Sequence, residues 1–169
     1  TGCRFSGNIC IVRSYSTSGG AIWFAAGSTG SVVSNCFFYG NHDRASWNTG
    51  AHQGGAIVVS LNSILDTLKV DGCTFAYNFV DGTDCAAGIT AVKGTLYLEN
   101  CVFGGNMVSP YTTTYSRDLC IKDDAICHVN YTVFGQDDTS SVYCTYRGTY
   151  DEGVGVVYKD PQFVTRPAT

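Results

Sequence analysis

Val70-Asp71-Gly72-Cys73-Thr74-Phe75-Ala76-Tyr77-Asn78 carries the fold of this chain in nine residues. Its second part, Cys-x-Phe-x-x-Asn, recurs as Cys3-Arg4-Phe5-Ser6-Gly7-Asn8, Cys36-Phe37-Phe38-Tyr39-Gly40-Asn41 and Cys101-Val102-Phe103-Gly104-Gly105-Asn106. Looser copies are Thr132-Val133-Phe134-Gly135-Gln136-Asp137 and Pro161-Gln162-Phe163. The phenylalanines Phe5, Phe38, Phe75, Phe103, Phe134 and Phe163 stand 33, 37, 28, 31 and 29 residues apart. A constant local pattern at variable spacing means a fixed structural rung joined by loops of differing length.

The pattern extends upstream of each Phe. Five residues before it stand Val33, Val70, Leu98, Val129 and Tyr158, and seven before it Ser31, Leu68, Leu96, Cys127 and Val156. These positions alternate with mostly polar neighbours at period two, as a strand with one buried face requires. Between this strand and Cys-x-Phe the alternation slips by one residue, at Gly2, Asn35, Gly72, Asn100, Tyr131 or Asp160. Five of these six are types that accept a left-handed backbone at low cost, so each slip predicts a sharp corner. An earlier strand reads Gly19-Gly20-Ala21-Ile22-Trp23-Phe24 and Gly54-Gly55-Ala56-Ile57-Val58-Val59, then departs from the strict repeat as Ala86-Ala87-Gly88-Ile89 and Arg117-Asp118-Leu119-Cys120-Ile121. No stretch has helical periodicity with capping residues.

Short strands, corners and a period near 30 residues predict an all-β fold: a right-handed single-stranded parallel β-helix of about five to six coils with three short strands per coil. One continuous unit over residues 1–169 is expected, as a segment of a longer chain. Equivalent positions would then stack at about 4.8 Å. That spacing exceeds the roughly 3.8 Å between Cβ atoms that a disulfide prefers, so Cys3, Cys36, Cys73 and Cys101 are expected as buried thiols. Among the other cysteines, Cys85 and Cys120 are the pair expected to approach closely enough for a disulfide. Asn8, Asn41, Asn78 and Asn106 predict a polar ladder that holds the corner after each Phe strand; a glycan-binding row is the alternative.

Gly-Gly-Ala-Ile (Gly19 to Ile22, Gly54 to Ile57) paired with Phe-x-x-Asn (Phe38 to Asn41, Phe75 to Asn78) resembles the repeats of polymorphic outer-membrane proteins and other passenger-type right-handed β-helices. Asp160-Pro161-Gln162-Phe163-Val164 is similar to a segment that recurs in secreted bacterial β-helix proteins of the pectate-lyase-like superfamily. The resemblance implies an extracellular or cell-surface location, and its members include adhesins, surface fibres and polysaccharide-degrading enzymes.

Composition narrows the function. A formal charge of -4, with only 14% charged residues, gives no basic stripe for nucleic acid or anionic membranes. No apolar run is long enough for membrane insertion. No cofactor fingerprint and no Cys-x-x-Cys metal spacing occurs, and His42, His52 and His128 are scattered. Eleven tyrosines, notably Tyr111 and Tyr115, suit contact with sugars or proteins, as would Trp47 if exposed rather than tucked over the coil. A lyase or hydrolase would need converging carboxylates with a base. The best cluster is Asp118 beside Arg117, with Lys122, Asp123 and Asp124, although adjacent Asp residues point to opposite faces of a strand. Asn130-Tyr131-Thr132 fits a glycosylation acceptor, but Thr132 is expected to point inward. Thr112 to Thr114 is a single loop, so no flat ice-binding array of threonines is built. The expectation is a non-enzymatic surface module that contacts polysaccharide, other surface proteins, or further copies of itself by end-to-end stacking; a carbohydrate-active enzyme fragment is the alternative.

Overall fold

The computed structural model describes residues 1–12, 18–45, 53–81, 85–109, 115–135, 139–144 and 147–162. Trp47, Tyr111, Asp137 and Phe163 lie outside the described residues, as do the side chains of Tyr115 and Asp123. The architecture is all-β, built of parallel sheets whose strands stack in chain order.

The Phe strands form a six-stranded sheet from Arg4–Ser6, Phe37–Tyr39, Thr74–Ala76, Val102–Gly104, Val133–Phe134 and Val157–Tyr158. Phe5, Phe38, Phe75 and Phe103 are in register, and the rings stack with centroids 4.8, 4.8 and 4.6 Å apart. Phe134 continues the column at 5.3 Å and Tyr158 at 5.5 Å. Tyr158, expected on the upstream strand, therefore takes the sixth rung that the repeat reserved for Phe163. The last turn of the chain is shorter than its predecessors. Tyr150 and Glu152 pair with Cys127 and Val129 in the places expected for Val156 and Tyr158.

The upstream strands behave as read. Val33, Val70, Leu98 and Val129 align, as do Leu68, Leu96 and Cys127. All are buried, and they form one core with the phenylalanines. The earlier strand aligns Ile22, Ile57, Ile89, Leu119 and Val142. It fuses with its upstream neighbour into two long strands, Ile89–Glu99 and Leu119–Asn130, which pair through an irregularity between Ala91 and Lys93. Glycine precedes this strand because the chain packs backbone on backbone there: a Cβ on Gly55 would collide with the Ala87 carbonyl.

The predicted corners are left-handed. Gly2, Asn35, Gly72, Asn100 and Tyr131 have φ between 48° and 66°. In the last repeat this role falls to Gly155 (φ 71°) rather than Asp160. A second left-handed corner follows the first four Phe strands, at Gly7, Gly40, Tyr77 and Gly105. It feeds a set of strands absent from the expected three per repeat: Ile9–Val12, His42–Ala45, Phe79–Val80 and Met107–Val108, all parallel. One antiparallel contact closes this sheet, between Met107–Val108 and Tyr115–Ser116.

All nine cysteines are thiols. Cys36, Cys73 and Cys101 are buried in one column, with Thr132 as its next rung. Cys3 departs from expectation and is exposed, since no described strand covers the outer edge of Arg4–Ser6. Cys85 and Cys120 are buried without forming the expected disulfide. Cys120 registers with Thr90, whereas Cys85 lies beside Arg117, whose Nη1 donates to its carbonyl at 3.1 Å.

Candidate functional site

The acidic cluster expected around Asp118 is taken apart by the fold. Asp118 occupies the position of Ala21, Ala56 and Gly88 in the earlier strand, where side chains point inward, and it is fully buried. Arg117 lies over the Tyr143 ring with its guanidinium carbon 4.2 Å from the centroid. Asp124 pairs with Arg147 at 2.6 Å. Both of its partners are largely exposed, so solvent screens the pair and its worth is at most about 1 kcal/mol.

Asp118 instead ends the asparagine ladder. Asn8 Nδ2 donates to Asn41 Oδ1 at 2.8 Å, Asn41 to Asn78 at 2.9 Å, Asn78 to Asn106 at 2.9 Å, and Asn106 to Asp118 Oδ1 at 2.8 Å. Each inner amide also donates to the Phe carbonyl one repeat earlier: Asn41 to Phe5, Asn78 to Phe38 and Asn106 to Phe75. Each inner Oδ1 accepts a second bond from the preceding Asn backbone N–H. An Asn side chain offers two donors and two acceptor lone pairs, and here all four are used. That completeness explains how fully buried amides are tolerated, since an unmade buried hydrogen bond costs about 1–3 kcal/mol. It also leaves the row no free group for a glycan. The donors all run toward the C-terminal repeats, so the last rung must only accept. The Asp118 carboxylate does so on both oxygens, taking Gly135 N–H on Oδ2 at 2.9 Å. Burial raises its pKa, and the bonds from Asn106 and Gly135 oppose that rise.

Asp71 and Glu99 stand in register on adjacent strands and share Lys69, at 3.6 and 2.8 Å, on a solvent-facing row; the remaining carboxylates named here are dispersed. Asp81 meets His42 at 3.3 Å, Asp151 meets His128 at 2.7 Å, and Glu152 accepts from Tyr158 at 2.6 Å. Among the described residues no group of three or more His, Cys, Asp or Glu could hold a metal. At the sequon, Thr132 is buried and donates to the Asn130 carbonyl, while Asn130 Oδ1 accepts from Val154 N–H.

Two hollows on the outside are lined by described residues. The first, about 410 Å³, is lined by Asn62, Ser63, Lys93, Asp124, Arg147 and Thr149. The second, about 580 Å³, follows the left-handed corners after the Phe strands, and its size is that of a small-ligand site. Its walls are aromatic. Tyr39 and Tyr77 meet edge to face at 5.8 Å, and the His42 and Phe79 rings do so at 4.8 Å. Met107 continues the column of His42 and Phe79 through the strand register. Gly7, Gly40 and Gly105 form the floor between the rings.

Tyr77 is the unusual residue in this groove. It holds φ 54° at the position where the flanking repeats place Gly7, Gly40 and Gly105. A left-handed backbone costs a tyrosine about 1 kcal/mol that glycine avoids. Its ring lies over Gly105, where an added Cβ would sit 2.5 Å from the Tyr77 Cδ1. Sequence reading missed this site because its residues do not repeat; the single signal was Tyr in a column of glycines.

Fold and ladders together define an all-β repeat protein of stacked parallel strands. No family model matches the chain, and no curated protein and no solved structure matches it.

Proposed function

We propose that this chain is a right-handed parallel β-helix module of about five to six coils, working outside the cell or on its surface as a non-catalytic recognition or adhesive element. The right-handed sense is supported by a general rule of chain geometry. Neighbours in each parallel sheet succeed one another along the chain, and crossovers between parallel strands are right-handed in about 98% of cases. The exterior location rests on the low charge and on the resemblance of the Gly-Gly-Ala-Ile and Phe-x-x-Asn repeats to those of surface β-helices.

The observation that carries recognition over catalysis is the fate of the polar residues. The best acid of the expected cluster ends a buried ladder, and Asp81, Asp124, Asp151 and Glu152 are tied to His, Arg or Tyr at scattered points, while Asp71 and Glu99 stand side by side on one strand face sharing Lys69 and line neither hollow described above. Glycoside hydrolysis needs two carboxyl groups roughly 5–10 Å apart across one cleft. What the module offers instead is rows of side chains at the strand interval, such as Val32, Lys69, Tyr97, His128 and Asp151 in mutual register. Such rows suit contact with an extended glycan or protein.

The test is a panel of neutral and acidic polysaccharides, scored for retention of the protein and for new reducing ends or unsaturated sugars, with and without Ca²⁺. Retention without product is expected. Turnover abolished by Asp124→Ala would make the chain an enzyme and end this reading.

A further inference from the structure

We infer that the groove walled by Tyr39, Tyr77, Phe79 and Met107 is a binding site for a neutral saccharide, with Tyr77 as the platform on which a sugar ring stacks; the inference rests on the recognition reading above. Tyr77 stands in a strained conformation in a column of glycines, and such outliers concentrate where a ligand is held. Its ring has an edge contact with Tyr39 and is seated over Gly105, so its place is set before any ligand arrives. Tyr131 shows the same tyrosine-over-glycine contact, at Gly155 on the other corner, and lies outside this groove. It therefore serves as a control.

The wall chemistry selects the ligand class. Aromatic faces and Met107 match the C–H face of a pyranose, while its hydroxyl edge needs a donor and an acceptor set close together. His42 lines the groove, and its Nε2 lies 3.3 Å from Asp81 Oδ2, which puts a donor and an acceptor together beside the aromatic walls. Neither Lys nor Arg lines the groove, and its one titratable nitrogen base, His42, is paired with the Asp81 carboxylate, so uronic acids and sulfated sugars meet no lysine or arginine there. Bound saccharide would cover Tyr39 and Tyr77, which makes their fluorescence a direct readout.

The experiment titrates the whole chain with neutral hexose oligosaccharides and with oligogalacturonate, following tyrosine fluorescence and calorimetry, for wild type, Tyr77→Gly, Tyr39→Ala, Asp81→Asn and Tyr131→Gly. Tyr77→Gly restores the residue type of the flanking repeats, so its melting temperature should stay near wild type while its affinity falls at least tenfold. Tyr39→Ala and Asp81→Asn should weaken binding severalfold, and Tyr131→Gly should leave it unchanged. Neutral-sugar binding that survives Tyr77→Gly and Tyr39→Ala would overturn the groove and leave the recognition reading standing. Preference for oligogalacturonate would overturn the ligand class. Failure to bind any neutral oligosaccharide would overturn the proposal outright. Cleavage of the sugars would instead remove the recognition reading beneath it.

Discussion

At Asp118 a single carboxylate decides whether the asparagine ladder can close. Two donors converge on it, Asn106 Nδ2 and Gly135 N–H, one on each oxygen. Replacing it by Asn, nearly the same in shape, puts an NH₂ group against one of those donors whichever way the amide is turned. Asp118→Asn should therefore destabilise the chain by about 2 kcal/mol, lowering the melting temperature by roughly 4–8 °C, as read by thermal unfolding. A rise in melting temperature would mean that relief from burying the charge outweighs the lost bond. The Asn rungs were legible because one residue type recurs three places after each Phe. Their terminus was not, because Asp118 enters the ladder from a strand where the other repeats hold Ala or Gly.

At the level of the element, each column shows how far identity repeats can be read. The Phe, Cys, Val and Leu columns follow from constant offsets, and the left-handed corners follow from the slip in alternation at Gly2, Asn35, Gly72, Asn100 and Tyr131. The column Ile9, His42, Phe79 and Met107 shares no chemistry along its length, so its strands carried no signal although each begins directly after the Asn rung. The sixth aromatic rung was misplaced for a related reason: Tyr replaces Phe in a repeat of altered length.

Within the interior columns the thiols respond to alkali. Burial pushes Cys85 up to about 12 and raises Cys127 further, whereas an unfolded thiol ionises near 8.5. The folded chain thus keeps protons that the unfolded chain releases, so stability is full below pH ~8.5 and declines as pH rises above it. Denaturant midpoints should fall as the pH is raised from about 8.5 to 10. At pH 8, a thiol reagent should label the exposed Cys3 and Cys144 at once and reach the six buried cysteines only as fast as the chain opens. Rapid labelling of Cys101 or Cys127 in the native protein would show that the columns are open.

At the scale of the whole molecule, rigidity is what the ladders contribute to function. Each repeat rests on its neighbours through parallel backbone pairing, a ring stack and an amide chain, and stability then accumulates rung by rung. Side chains on the outer rows and in the corner groove are thereby held at fixed intervals.

The most direct test of this account is hydrogen–deuterium exchange of side-chain amides by NMR, combined with nuclear Overhauser contacts between rings. The stacked arrangement predicts that the Asn41, Asn78 and Asn106 NH₂ protons exchange as slowly as core backbone amides, with Phe75 ring protons in contact with both Phe38 and Phe103. Fast exchange of those amides, or a Phe75 ring without contacts to both neighbours, would contradict it.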